Sequence, residues 1–251
     1  MTEDFSLLKK RFIELGRRSE QGYFTFTDFL GLAEQSCFNE IKGELKGISY
    51  TAFGGAEGAE RVMIRFGSPE ELGYEEDFPI VTLKIAPKSE KFADKLTHRD
   101  FLGALMSLGI EREVLGDIVI RDNVGYLFAK EDIASYIADS LTKVKRTDMK
   151  VCVTDTLPEG ELYRTERKTV QVSGERLDAI IAKVFSLSRE EAQGYVRRRL
   201  TFVGGRLTEN VSYVPKPDDV ISVRGLGRFI YRGAYGLSRK GKLNATADLF
   251  C

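Results

Sequence analysis

The chain of 251 residues has no tryptophan, one histidine, three cysteines and six prolines. Each shortage excludes something. A single histidine, His98, cannot build a His-rich metal centre. Cys37, Cys152 and Cys251 are too scattered for paired zinc-ligand spacing or for a disulfide framework, and a reducing, cytoplasmic setting is the simplest expectation. No apolar run approaches about 18 residues, so no membrane-spanning helix is expected. The opening MTEDFSLLKKRF lacks the basic start and apolar core of a secretory signal peptide. No residue set recommends itself as a metal, cofactor or catalytic site. What is present is a 42% hydrophobic fraction, ordinary for a globular protein, in a chain long enough for two or three small domains.

The formal net charge is zero, but the charges are not mixed evenly. From Lys168 onward there are 15 Lys and Arg against 8 Asp and Glu, which leaves 23 against 30 for the rest. A basic part beside an acidic part suggests that one region meets a polyanion and the other does not.

The basic excess centres on residues 175–205, ERLDAIIAKVFSLSREEAQGYVRRRLTFVGG. Leu177, Ile180, Ile181 and Val184 share one face of a short helix. A Ser-Leu-Ser corner follows. Ser188, with Glu191 three residues on, is a capping-box start for a second helix whose inner face carries Ala192, Tyr195, Val196 and Leu200. Arg176, Lys183, Arg189, Arg197, Arg198 and Arg199 fall off these apolar stripes, toward solvent, and Asp178 is expected on the helix surface. Gly204-Gly205 is a turn in which φ > 0 carries no steric cost. Arg206 follows it.

Arg176-Leu177-Asp178, Ser188-Arg189 with Ala192, Thr201-Phe202-Val203-Gly204-Gly205 and Pro217-Asp218-Asp219-Val220-Ile221 resemble the S4 RNA-binding domain. Two positions depart from that pattern: Gly204 stands where the family usually has Asn, and Asp218 where it usually has Gly. The resemblance implies an RNA face made of Arg176, Lys183, Ser188, Arg189, Arg197, Arg198, Arg199, Gly205 and Arg206. Beyond it, residues 229–235 and 243–250 predict a hairpin whose basic tip adds Lys240 and Lys242.

The rest of the chain divides into two further parts. Residues 1–76 predict a mixed helical and strand domain: a helix through Phe5, Leu8, Phe12 and Leu15, a second capped at Thr27-Asp28, then strands at 50–53 and 62–66. The glycine-rich loop between those strands, residues 54–61, has neither the P-loop ending nor dinucleotide spacing. It reads as a strand-to-strand turn, with a backbone contact to RNA phosphate near Arg61 left open. Residues 77–156 predict the order βαββαβ, a ferredoxin-like plan shared with RNA-recognition domains. Its first strand is 80–85 and its first helix 99–108, with Phe101, Leu102, Leu105 and Met106 inward. A hairpin then turns at Arg121-Asp122-Asn123, a second helix spans 131–141, and a last strand 151–153. Lys143, Lys145, Arg146 and Lys150 complement the exit of that second helix. His98 is expected to be structural or an RNA contact. The first strand shows no aromatic on either face, while Val124, Tyr126 and Phe128 share one face of the third. Stacking of single-stranded RNA is therefore not expected here, and the domain's expected role is to position the S4-like part or to contact a protein. Residues 154–167 read as a linker to the S4-like domain at 168–251. The whole is an α+β chain of three domains.

FGGAEGAER at 53–61, Thr97-His98-Arg99-Asp100 with Leu102-Gly103-Ala104-Leu105, and Gly116-Asp117-Ile118, together with the C-terminal part, resemble the YlmH-type proteins of Gram-positive bacteria. That resemblance implies a cytoplasmic, non-enzymatic RNA-binding protein. Its implied partners are rRNA and tRNA, through the large ribosomal subunit and peptidyl-tRNA in quality control, with division proteins as further partners and no membrane insertion. The competing expectation is an RNA-modifying enzyme of pseudouridine synthase or methyltransferase type, for which neither a catalytic aspartate domain nor a cofactor loop is found. A division scaffold, docking through the acidic first two-thirds, is a third.

Overall fold

The computed structural model describes residues 5–238 and 241–250, with seven α-helices and three antiparallel sheets among them. The chain divides into two compact units, Met1–Glu34 with Glu40–Leu162, and Gln35–Asn39 with Tyr163–Cys251.

The first unit begins with α1 (Ser6–Ser19), which buries Phe12 and Leu15, followed by β1 (Thr25–Phe26) and α2 (Leu32–Ile41). Helix α2 is capped by Gly31, not by the Thr27-Asp28 expected from the sequence. Thr27 is buried and its hydroxyl is used elsewhere, accepting from the Ile64 N–H at 2.9 Å. β2 (Tyr50–Phe53) and β3 (Met63–Phe66) then complete a sheet of order β1-β3-β2. After the single-turn α3 (Pro69–Leu72) come β4 (Ile80–Pro87), α4 (His98–Ser107), β5 (Leu115–Arg121), β6 (Val124–Lys130), α5 (Glu131–Ser140), β7 (Lys143–Val144) and β8 (Thr147–Val153). These strands form one sheet of order β5-β6-β4-β8-β7. Both sheets lie in one compact unit, and the expected division near residue 76 falls where one sheet gives way to the other.

Strand alternation decides which residues the five-stranded sheet buries. Leu83 and Ile85 of β4 and Leu127 and Ala129 of β6 pack under Phe101 and Leu105 of α4 and Ala134 and Ile137 of α5. Met106, expected inward, is exposed, because Phe101 and Leu105 already fill that stripe of α4. Asp122 and Asn123 have φ of 46° and 65°, the pair of left-handed residues that a two-residue hairpin requires. Lys143, Lys145 and Arg146 do not complement the end of α5. Lys143 is in β7 and the other two form its turn into β8.

The second unit opens with β9 (Thr165–Val172), three residues earlier than the expected Lys168, then α6 (Leu177–Val184) and α7 (Arg189–Arg197). β10 (Thr201–Val203), β11 (Arg206–Leu207), β12 (Val220–Val223), β13 (Gly227–Leu237) and β14 (Leu243–Phe250) follow. They build one sheet of order β11-β10-β12-β13-β14-β9. Leu177, Ile180, Ile181, Val184, Ala192 and Val196 of the helix pair pack with Ile221, Phe229, Tyr231, Ala245 and Ala247 of the strands. Full burial of a side chain such as Phe229 contributes about 1.5–3 kcal/mol, so this face fixes the helices on the sheet.

Candidate nucleic-acid interface

The helix pair is organised by a carboxylate. Asp178, expected on the helix surface, is fully buried. It sits in the first turn of α6, where the helix dipole favours negative charge. Its Oδ2 accepts from Arg189 Nε at 3.0 Å and from Gln193 Nε2 at 2.7 Å, both on α7. Arg176 Nε lies 3.3 Å from Oδ1, near enough for an ion pair without hydrogen-bond alignment, and its Nη2 reaches Oδ2 at 3.5 Å. Burial works against ionisation of Asp178, yet the hydrogen bonds from Arg189 and Gln193 and the charges of Arg189 and Arg176 outweigh it and hold the pKa below the usual value. Arg176 and Arg189 remain 42% and 49% exposed. A guanidinium has five donors, so each arginine is anchored on its inner side and still offers N–H groups outward.

The other expected cations are less constrained. Lys183, Arg197, Arg198, Arg199 and Arg206 are exposed. Arg197 donates to Gln193 Oε1 at 3.2 Å. Arg198 donates to the Gly194 carbonyl and lies 5.0 Å from the centre of the Tyr195 ring. Arg199, at φ 62°, comes within 3.9 Å of Glu209. The backbone N–H of Arg224 donates to the Leu200 carbonyl at 2.8 Å. This adds an exposed arginine, unforeseen in the sequence, beside the end of α7. Ser188 is occupied by the capping box, its hydroxyl accepting from Glu191 N–H while the Glu191 carboxylate accepts from Ser188 N–H. Lys242 is exposed in the β13–β14 connection; Lys240 lies outside the described residues.

Two turns explain the departures from the S4 pattern. Gly204 and Gly205 have φ of 55° and 71° and join β10 to β11 through the Val203–Arg206 pair. Glycine thus serves the left-handed geometry that Asn would also tolerate. Asp218 has φ 70°, the conformation that glycine adopts freely. Its carboxylate accepts from Arg232 Nη1, a contact glycine could not make.

The glycine-rich loop is structural. The backbone N–H groups of Glu60 and Arg61 donate to Asp117, at 2.7 and 3.1 Å. The Arg61 guanidinium donates to the carbonyls of Leu115, Phe29 and Arg112, and burial lowers its pKa. Gly55, at φ +92°, lies so close to Phe128 that a Cβ would stand 2.3 Å from the ring. The loop therefore helps seal the β6 side of the sheet, where Phe128 is 0% and Tyr126 9% exposed. His98 starts α4 behind Thr97, whose N–H and hydroxyl both donate to Asp100. Burial, and then the charge of Arg112, lower the His98 pKa. Among the described residues no cluster of three or more metal-ligating side chains occurs, and no helix is long and apolar enough to cross a membrane.

The family model described as "Putative RNA-binding domain in YlmH" matches residues 73–157. The "Ribosome-associated protein quality control protein P2" of Bacillus subtilis (strain 168) is 31% identical over 241 residues, covering 91% of this chain and 88% of that protein. The chain belongs to the YlmH-type family. A solved structure titled "Cell division protein ylmH from Streptococcus pneumoniae" aligns with a TM-score of 0.44 at 21% identity, over 61% of this chain and 95% of that one. In this YlmH-type chain the matched RNA-binding description falls on the five-stranded sheet and its helices. The role expected of that region from sequence is to position the S4-like part or to contact a protein, and the expected RNA residues lie outside it.

Proposed function

We propose that this protein binds structured RNA of the ribosome, without catalysing a reaction, and acts on large subunits that carry peptidyl-tRNA. The single observation that carries this is the Asp178 node. It locks α6 to α7 while leaving two arginines half exposed beside the exposed Lys183, Arg197 and Arg198. Fixed cations on a rigid helix pair suit phosphate contacts, which set position and orientation on a folded RNA. The ribosome-associated relative supports the same setting in the cytoplasm. The βαββαβ order with strand order β5-β6-β4-β8 supports a ferredoxin-like plan for residues 77–156, and the helix pair followed by β10–β12 supports an S4 domain at 168–251. The aspartate of the RLD phrase has no catalytic part in this reading, since Asp178 is buried and held by three side chains.

Sucrose-gradient sedimentation with purified large subunits tests the reading. Arg197→Glu with Arg198→Glu is expected to abolish co-migration while the melting temperature stays within about 2 °C, because surface substitutions change stability by about 0.5 kcal/mol or less. Unchanged co-migration would overturn it.

A further inference from the structure

We infer that the open face of β4 and β8 is a second RNA contact, one that grips phosphates and reads no base. This rests on the RNA-binding reading above and adds the face and its chemistry.

Strand alternation sends Leu83 and Ile85 of β4, and Met149 of β8, into the core. Thr82, Lys84 and Ala86 therefore point to the opposite face. Lys84 pairs directly with Cys152, and Ala86 with Lys150. One step further, the Lys88 N–H donates to the Asp148 carbonyl, and Asp148 in turn stands opposite Lys143 of β7. Four lysines thus share this half of the sheet with one carboxylate. Asp148 is engaged by Lys143 at 3.6 Å. No ion pair involves Lys84, Lys88 or Lys150 among the described residues.

The other half of the same face is closed. Tyr126 and Phe128, the rings that could have stacked on bases, are packed away, as is Val119. A nucleic acid on the open half meets ammonium groups and no aromatic plane. Such contacts neutralise phosphates and carry no sequence information. An acidic peptide would share the charge, but peptide docking draws on buried apolar anchors, and the side chains that β4 and β8 turn to this face, Thr82, Lys84, Ala86, Lys150 and Cys152, include no large apolar one. The match of an RNA-binding family model to residues 73–157 favours RNA.

The molecule carries its own reporter. Cys152 is exposed at the centre of this face and Cys37 is buried, so a full-length Cys251→Ser chain directs a thiol-alkylating reagent to Cys152. Large subunits, and protein-free rRNA, are expected to slow that alkylation several-fold, with high salt restoring it. The triple variant Lys84→Gln, Lys88→Gln, Lys150→Gln should flatten the slope of log K against log[salt] by about 2 to 3 without changing the melting curve. A wild-type slope with Cys152 equally reactive in bound and free protein would overturn the inference and leave the helix-pair reading intact. Protection by intact subunits but not by protein-free rRNA would assign the face to an acidic protein and also overturn it. Failure of the Arg197/Arg198 variant to lose binding would instead remove the proposed function itself.

Discussion

The cations of the helix pair and those of the five-stranded sheet carry the same charge and differ in what stands behind them. Arg176 and Arg189 close on a buried carboxylate, as Arg167 and Arg232 do at Asp248. Lys84 and Lys150 project from strands, and Lys88 follows the end of β4, where the fold is decided by the apolar residues on the reverse side. A cation with a buried anion behind it belongs to the fold as well as to the surface. A cation on an open strand belongs to the surface alone. Mutations at the first kind mix stability with binding, and mutations at the second should separate them.

The largest effect is expected from Arg189→Glu, which places a second carboxylate beside buried Asp178 and removes a donor from it. A loss of about 1–3 kcal/mol is expected, the cost of taking one charged donor from a buried carboxylate that keeps Gln193 and Arg176. Urea unfolding measures it. A loss under 0.5 kcal/mol would show that Arg189 is an ordinary surface residue and dissolve the contrast.

Next comes acid. Asp248 is held at about 2 by the hydrogen bond from Arg167 and the partnership of Arg232, against the effect of burial, and Asp178 is also depressed. Both groups are lowered in the folded state, so their contribution is fully present above about pH 4 and is lost as the pH falls from about 4 toward 2. Thermal melts across that window should show a smaller acid loss for Asp248→Asn than for the unaltered chain. Parallel curves would mean that the node contributes no linkage.

The smallest effect on stability belongs to Lys88→Glu with Lys150→Glu, both exposed, within about 0.5 kcal/mol by the same unfolding assay. A larger loss would place these lysines among the structural cations and erase the distinction from the other side.

What the sequence made legible was local. The Ser188–Glu191 box, the Gly204-Gly205 turn and the Asp122-Asn123 hairpin each depend on a few neighbouring residues, and each forms as read. The burial of Asp178 is not legible in the sequence because its α7 donors stand 11 and 15 residues away, across a helix corner. In sequence it is a polar residue off the apolar stripe. Its burial appears only when the two helices pack. The lysine face is hidden for a similar reason, since Lys84 and Lys150 become neighbours only through the register of β4 on β8. The glycine-rich loop left two readings open because its partner, Asp117, comes 57 and 56 residues later.

The Asp178 node also bears on timing. Ordering a long side chain on association costs about 0.5–1.5 kcal/mol, and for Arg176 and Arg189 that ordering is met during folding, when Nε is drawn to the carboxylate. The lysines of β4 and β8 keep their rotational freedom until a phosphate arrives. Phosphate contacts made through these arginines therefore carry a smaller ordering cost than contacts made through the lysines. At equal charge, each arginine contact is expected to add more to affinity than each lysine contact.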